Sequence, residues 1–157
     1  MSRSIEDSGH ITPIDRDYGT CDSTYSELRI YPGKLTAGEI TGILQLEPTS
    51  TLEKGAIVEN SRGRVREVMY AGWFLSTEGV VASKDVREHL DWLIAKLIDV
   101  KKPLRLLSAS TDNKMTLSCT WWSKAGHGGP VLFPKQMAAL SELNLELSFD
   151  IYFVDDD

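Results

Sequence analysis

A chain of 157 residues with 41% apolar and 25% charged residues has ordinary globular composition and is long enough for one domain with its own core. Its net charge of −6 argues against nucleic acid, whose binders carry a basic stripe, and suits a small-molecule protein or an inhibitor of a basic partner equally. The two cysteines, Cys21 and Cys119, have no metal-type spacing and form no disulfide framework, and no stretch nears membrane-spanning length.

The acid excess lies at the ends. Residues 1–23 are polar, acidic and without periodicity, and they read as a loosely ordered arm. Residues 155–157 are an acidic tail, which leaves 24–154 as a single domain. The opening MSRSIEDSGH holds no apolar core of the kind a secretion signal needs, so the expected location is the cytoplasm.

The first strand is expected over Thr24–Tyr31, with Leu28 and Ile30 on one face and Glu27, Arg29 and Tyr31 on the other. Thr36 to Glu39 spells a capping box and predicts a short helix carrying Ile40, Ile43 and Leu44, ended before Pro48. Residues 49–67 are the least regular part. Their basic turn, Arg62 to Arg66, reads as a solvated hairpin tip more readily than as an anion contact.

Val68–Thr77 predicts a strand with Met69, Ala71, Trp73 and Leu75 on one face and Tyr70 and Phe74 on the other. Ser83 is the expected N-cap of the longest helix, whose core stripe is Val86, Leu90, Leu93, Ile94 and Leu97. Pro103 closes that helix, and Leu104–Leu107 add a further turn.

The next strand sets Met115, Leu117, Cys119 and Trp121 against Thr116, Ser118, Thr120 and Trp122. A glycine-rich loop follows, then a helix with Pro134 at its first position, a buried edge of Met137, Leu140 and Leu143, and Asn144 in the left-handed C-terminal position. The last strand alternates Leu145, Leu147, Phe149, Ile151 and Phe153 inward with Glu146, Ser148, Asp150 and Tyr152 outward. The order βαβ-α-βαβ, with half-apolar strands, predicts an α+β fold. It would be a single four-stranded, mainly antiparallel sheet with helices on one face, a ferredoxin-like α/β sandwich or a relative.

Catalytic patterns are weak. Cys119 and His127 are eight residues apart, but strand parity buries Cys119 as an inert core thiol, and His127 alone makes neither a triad nor a metal site. The loop Gly126–Pro130 lacks the lysine-serine ending of a P-loop, and a turn requiring positive φ explains its glycines. The expectation is therefore a protein with no catalytic residues, no metal and no cofactor.

The face opposite the core is the better candidate. Arg29, Tyr31, Tyr70, Phe74, Trp122, Asp150 and Tyr152 all fall on it by alternation, with His127 as a loop candidate. Aromatic rings with Arg and Asp on an open sheet are the material of binding hot spots. Coverage of this face by loops or by a second copy is the competing reading. An enzyme or small-ligand binder with a pocket near Asp150, Arg29 and His127 is the alternative function.

The run YSELRIY, then TAGEITGIL followed by LEPT, the GWFLS strand, the HLDWLIAKL helix, CTWWS, GGP and the closing LSFDIYFV together resemble the bacterial family named domain of unknown function 4279. The resemblance covers roughly residues 24–154 and implies no catalytic residues. It implies small, single-domain members of the type that act as immunity or regulatory partners. The function expected is that of a non-enzymatic protein that binds another protein, an immunity protein neutralising a toxin being one form. It would use neither nucleic acid nor membrane.

Overall fold

The computed structural model describes residues 12–154. A five-stranded sheet in the order β2-β5-β1-β6-β7 carries the fold, and a separate two-stranded sheet, β3-β4, stands beside it. The elements are β1 (Cys21–Pro32), α1 (Ala37–Leu44), β2 (Ser50–Leu52), β3 (Ile57–Glu59), β4 (Val65–Glu67), β5 (Gly72–Ser76), α2 (Val86–Ile98), α3 (Lys101–Ala109), β6 (Asn113–Ser123), α4 (Pro134–Glu142) and β7 (Leu147–Phe153). Neighbouring strands run antiparallel except β6 and β7, which are parallel and joined through α4.

The α+β class holds, but the single four-stranded sheet does not. Residues 49–67 are too polar to show a period, and they still supply β2 at the sheet edge and the β3-β4 hairpin. In a ferredoxin-like sandwich the two ends of each βαβ unit are split by another strand. Here β6 and β7 are direct neighbours.

Period-two alternation along β1 and β6 aligns Leu28 with Leu117 and Ile30 with Met115, all facing the helices. These residues join Trp73 and Leu75 of β5, Ile40 and Leu44 of α1, and Leu90, Leu93 and Leu97 of α2 in one core. The Thr36 capping box is formed, with Thr36 Oγ1 accepting from the Glu39 amide at 3.1 Å and Glu39 Oε1 accepting from the Thr36 amide at 3.3 Å. Gln45, at φ 53°, ends α1 in the left-handed region. Trp73 Nε1 donates to Thr41 Oγ1 at 3.0 Å and ties β5 to that helix.

Several boundaries differ from the sequence pattern. The strand expected at Val68–Thr77 shortens to Gly72–Ser76, so Met69 and Tyr70 are exposed loop residues instead of strand residues. Asp85, not Ser83, caps α2, and the Ser83 hydroxyl instead donates to Glu88 Oε1 at 2.9 Å. The break after α2 falls at Asp99 and Val100, which places Pro103 inside the first turn of α3, where its missing N–H costs nothing. Met137 is exposed and Gln136 is buried in its stead.

β1 starts at Cys21, three residues before the expected Thr24, and residues 12–20 of the supposed arm are bonded to the domain. The Arg87 guanidinium donates to the carbonyls of Thr12 at 2.6 Å and Pro13 at 3.0 Å, and the Asp15 amide donates to Asp85 Oδ2 at 2.9 Å. Residues 1–11 and 155–157 lie outside the described residues.

Candidate functional site

The sheet face away from the helices is built by the odd residues of β1 from Ser23 onward, past a bulge that turns Cys21 to the other side, and by the even residues of β5, β6 and β7. Six of the seven residues expected there, Arg29, Tyr31, Phe74, Trp122, Asp150 and Tyr152, lie on it by register. Tyr70 does not, because its backbone precedes β5. It reaches the rim instead, lining a cavity of about 320 Å³ together with Tyr31, Asp112 and Lys114.

Two aromatic pairs stand apart on the face. Tyr31 meets Phe74 edge-on, with centroids 5.6 Å apart and planes at 76°. Trp122 stacks on Tyr152 at 4.6 Å and 23°, as their direct opposition in the β6-β7 register dictates. Both arrangements are the ones ring quadrupoles favour. Tyr31 and Tyr152 remain exposed.

Between the pairs sits a charged centre that single-residue reading left out. Glu27 lies on this face two residues before Arg29, and its Oε1 accepts from Arg29 Nε at 2.8 Å. Burial opposes the Arg29 charge, but Glu27, and to a lesser extent Tyr31 and Asp150, more than offset it. Asp150 pairs by register with Thr120, four positions along β6 from the Thr116 that faces Arg29. Period-two alternation alone could have nominated Glu27, since it precedes Arg29 by two.

His127 is not gathered into this group. It is exposed in the loop after β6, where its carbonyl accepts from Ser123 Oγ at 3.1 Å. Gly126 and Gly128 have φ of 70° and 84°, so the turn does require positive φ. At Gly128 a side chain would also strike Thr20, with its Cβ 2.7 Å from that of Thr20. A cavity of about 610 Å³ lies beside the start of α1, between Lys34, Lys54 and Tyr70, and one of about 370 Å³ lies between α4 and β6. Neither is lined by Arg29, Asp150 or His127.

The buried polar groups are structural in their geometry. Cys119 Sγ lies 3.1 Å from Ser26 Oγ in the core, and burial pushes its thiol up to about 11 against the weaker opposing effect of that hydroxyl. Asp85 and Arg87 form a bidentate pair, both fully buried, with the guanidinium also 4.4 Å from the centre of the Phe133 ring. Burial alone would raise the Asp85 carboxyl, but the Arg87 side chain and the amides of Asp15 and Arg87 together hold it below the usual carboxylate range. His89 bridges Thr77 Oγ1 at 2.6 Å and the Ser83 carbonyl at 2.7 Å, and its burial lowers its pKa and favours the neutral ring. Among the described residues no cluster of His, Cys, Asp or Glu is placed to hold a metal, and no helix is long and apolar enough to cross a membrane.

No curated protein and no solved structure matches the chain. A family model, described as a domain of unknown function and numbered 4279, matches residues 22–154, from the second residue of β1 to the residue after β7. The chain belongs to the domain of unknown function 4279 family.

Proposed function

We propose that this protein acts by binding another protein through its open sheet face, without catalysis. The observation that carries this reading is the two ring pairs, Tyr31 edge-on to Phe74 and Trp122 stacked on Tyr152, flanking the Glu27–Arg29 ion pair on a surface that leaves both tyrosines exposed. Rings fixed by one another lose little freedom on binding, and a central Arg offers directional hydrogen bonds, which is how interface hot spots are composed.

The net charge of −6 favours a basic partner surface, since opposite fields speed encounter. A toxin neutralised in the cytoplasm of a bacterium, with this chain as its immunity protein, is the narrower form of the proposal. Capture of a partner by wild type and its loss with Trp122→Ala tests the reading. Binding unaffected by that change in a folded variant would remove the face from consideration.

A further inference from the structure

The two edges of the main sheet are treated differently. β2 closes one edge with three residues, a length too short to template another chain. β7 closes the other with seven residues in unbroken register, LSFDIYF, which contain no proline, no lysine and a single charge, Asp150. Among the described residues, no proline, lysine or bulge blunts this edge.

The backbone of β7 is also oriented for pairing. The Leu117 amide donates to the Glu146 carbonyl at 3.0 Å, and the Val154 amide donates to the Ser123 carbonyl at 3.1 Å. In a parallel ladder this turns the even-numbered groups of β7 toward β6 and leaves the N–H and C=O of residues 147, 149, 151 and 153 directed outward. Those odd positions place their side chains on the helix side of the sheet, beyond the reach of the helices: Phe149 is 39%, Ile151 50% and Phe153 62% exposed.

We infer that β7 pairs antiparallel with β7 of a second copy about a two-fold axis at Ile151, joining two sheets into one of ten strands. In that register Ile151 faces its own copy and Phe149 faces Phe153, so one side of the ribbon is apolar throughout. On the other side Asp150 falls opposite Tyr152. Of the two neighbouring registers, a two-fold axis at Asp150 would set two carboxylates directly against each other, and an axis at Tyr152 would leave Phe149 opposite residue 155, past the end of the strand. The exposed side chains contribute on the order of 400 Å² per copy, below the roughly 800 Å² per partner of a standard interface. The dimer is therefore reversible.

The test is sedimentation velocity of the full chain across about 1–500 μM, a span reaching well above the micromolar regime, with Ile151→Lys beside wild type and melting curves for both. Wild type is expected to shift from monomer to dimer. Ile151→Lys, folded, is expected to dissociate about a hundred-fold more readily, because it sets two ammonium groups against each other at the axis. The register is read by oxidation: Ile151→Cys is expected to cross-link, since facing Cα atoms at about 5.5 Å suit a disulfide, whereas Phe149→Cys alone is not. A wild type monomeric throughout, a dimer indifferent to Ile151→Lys, or equal cross-linking of the two cysteine variants would overturn the inference. So would a monomer that adds a strand from a different protein instead. Trp122→Ala is expected to leave this dimer intact, so failure of the partner-binding proposal and failure of this one are separable.

Discussion

Trp122 and Tyr152 are direct neighbours in the parallel register of β6 and β7, stacked at 4.6 Å on the face turned away from every helix. Neither ring belongs to the core that joins the helices to the sheet. Trp122→Ala should therefore cost only about 1–2 kcal/mol, from the lost stacking and partial burial. Thermal melting checks this. A loss above about 4 kcal/mol, of the size that core truncation produces, would show that Trp122 is structural.

Arg87 gives the opposite expectation. It is fully buried, paired with Asp85 and bonded to Thr12 and Pro13, so Arg87→Met would leave the Asp85 carboxylate buried without its charged partner, held only by the amides of residues 15 and 87. Breaking such a pair costs about 3–5 kcal/mol. Urea unfolding should show a lowered midpoint with little change in slope. A loss under about 1 kcal/mol would contradict the pair's assigned place in anchoring residues 12–15.

Acid should weaken the fold in two stages. His89 has a folded-state pKa below its unfolded value, so its contribution is complete above about pH 6.5 and is lost as pH falls through the folded value. Asp85 is likewise depressed, and its contribution is complete above about pH 4 and lost below. Stability measured from pH 8 to 3 should begin to fall below about 6.5. His89→Gln, which keeps a neutral polar group, should remove the upper stage alone.

The thiols should be silent. Cys21 and Cys119 are buried, and burial pushes both up to about 11, overriding Lys84 near Cys21 and Ser26 near Cys119. Native protein should react with a thiol reagent only as fast as it unfolds, and Cys119→Ala should retain any binding. Rapid labelling of Cys119 in the folded state would contradict the packing described for it.

The long strands and helices were legible because their apolar residues repeat at two and at three to four: Leu28 and Ile30, Leu117 and Cys119, Leu90, Leu93 and Leu97. The same parity put six of seven open-face residues where the register has them. What was not legible depended on neighbours remote in sequence. Ser50–Leu52 is a strand only because β5 lies beside it, and Met69 and Tyr70 leave the strand although their residue types suit one. Phe149, Ile151 and Phe153 face the helix side as alternation requires, yet stay exposed, since none of the helices among the described residues buries that end of β7. Arg87 reads as a solvated helix residue in a linear pattern. Its burial requires Asp85, Thr12, Pro13 and Phe133 to meet around it.

Binding of another protein through the open face remains to be measured in solution. Affinity capture from the source cells with wild type and Trp122→Ala, followed by mass spectrometry, tests it most directly. One stoichiometric protein should be retained by wild type and lost or strongly reduced with the variant. A clean wild type with no retained protein, or equal retention by both, would contradict it.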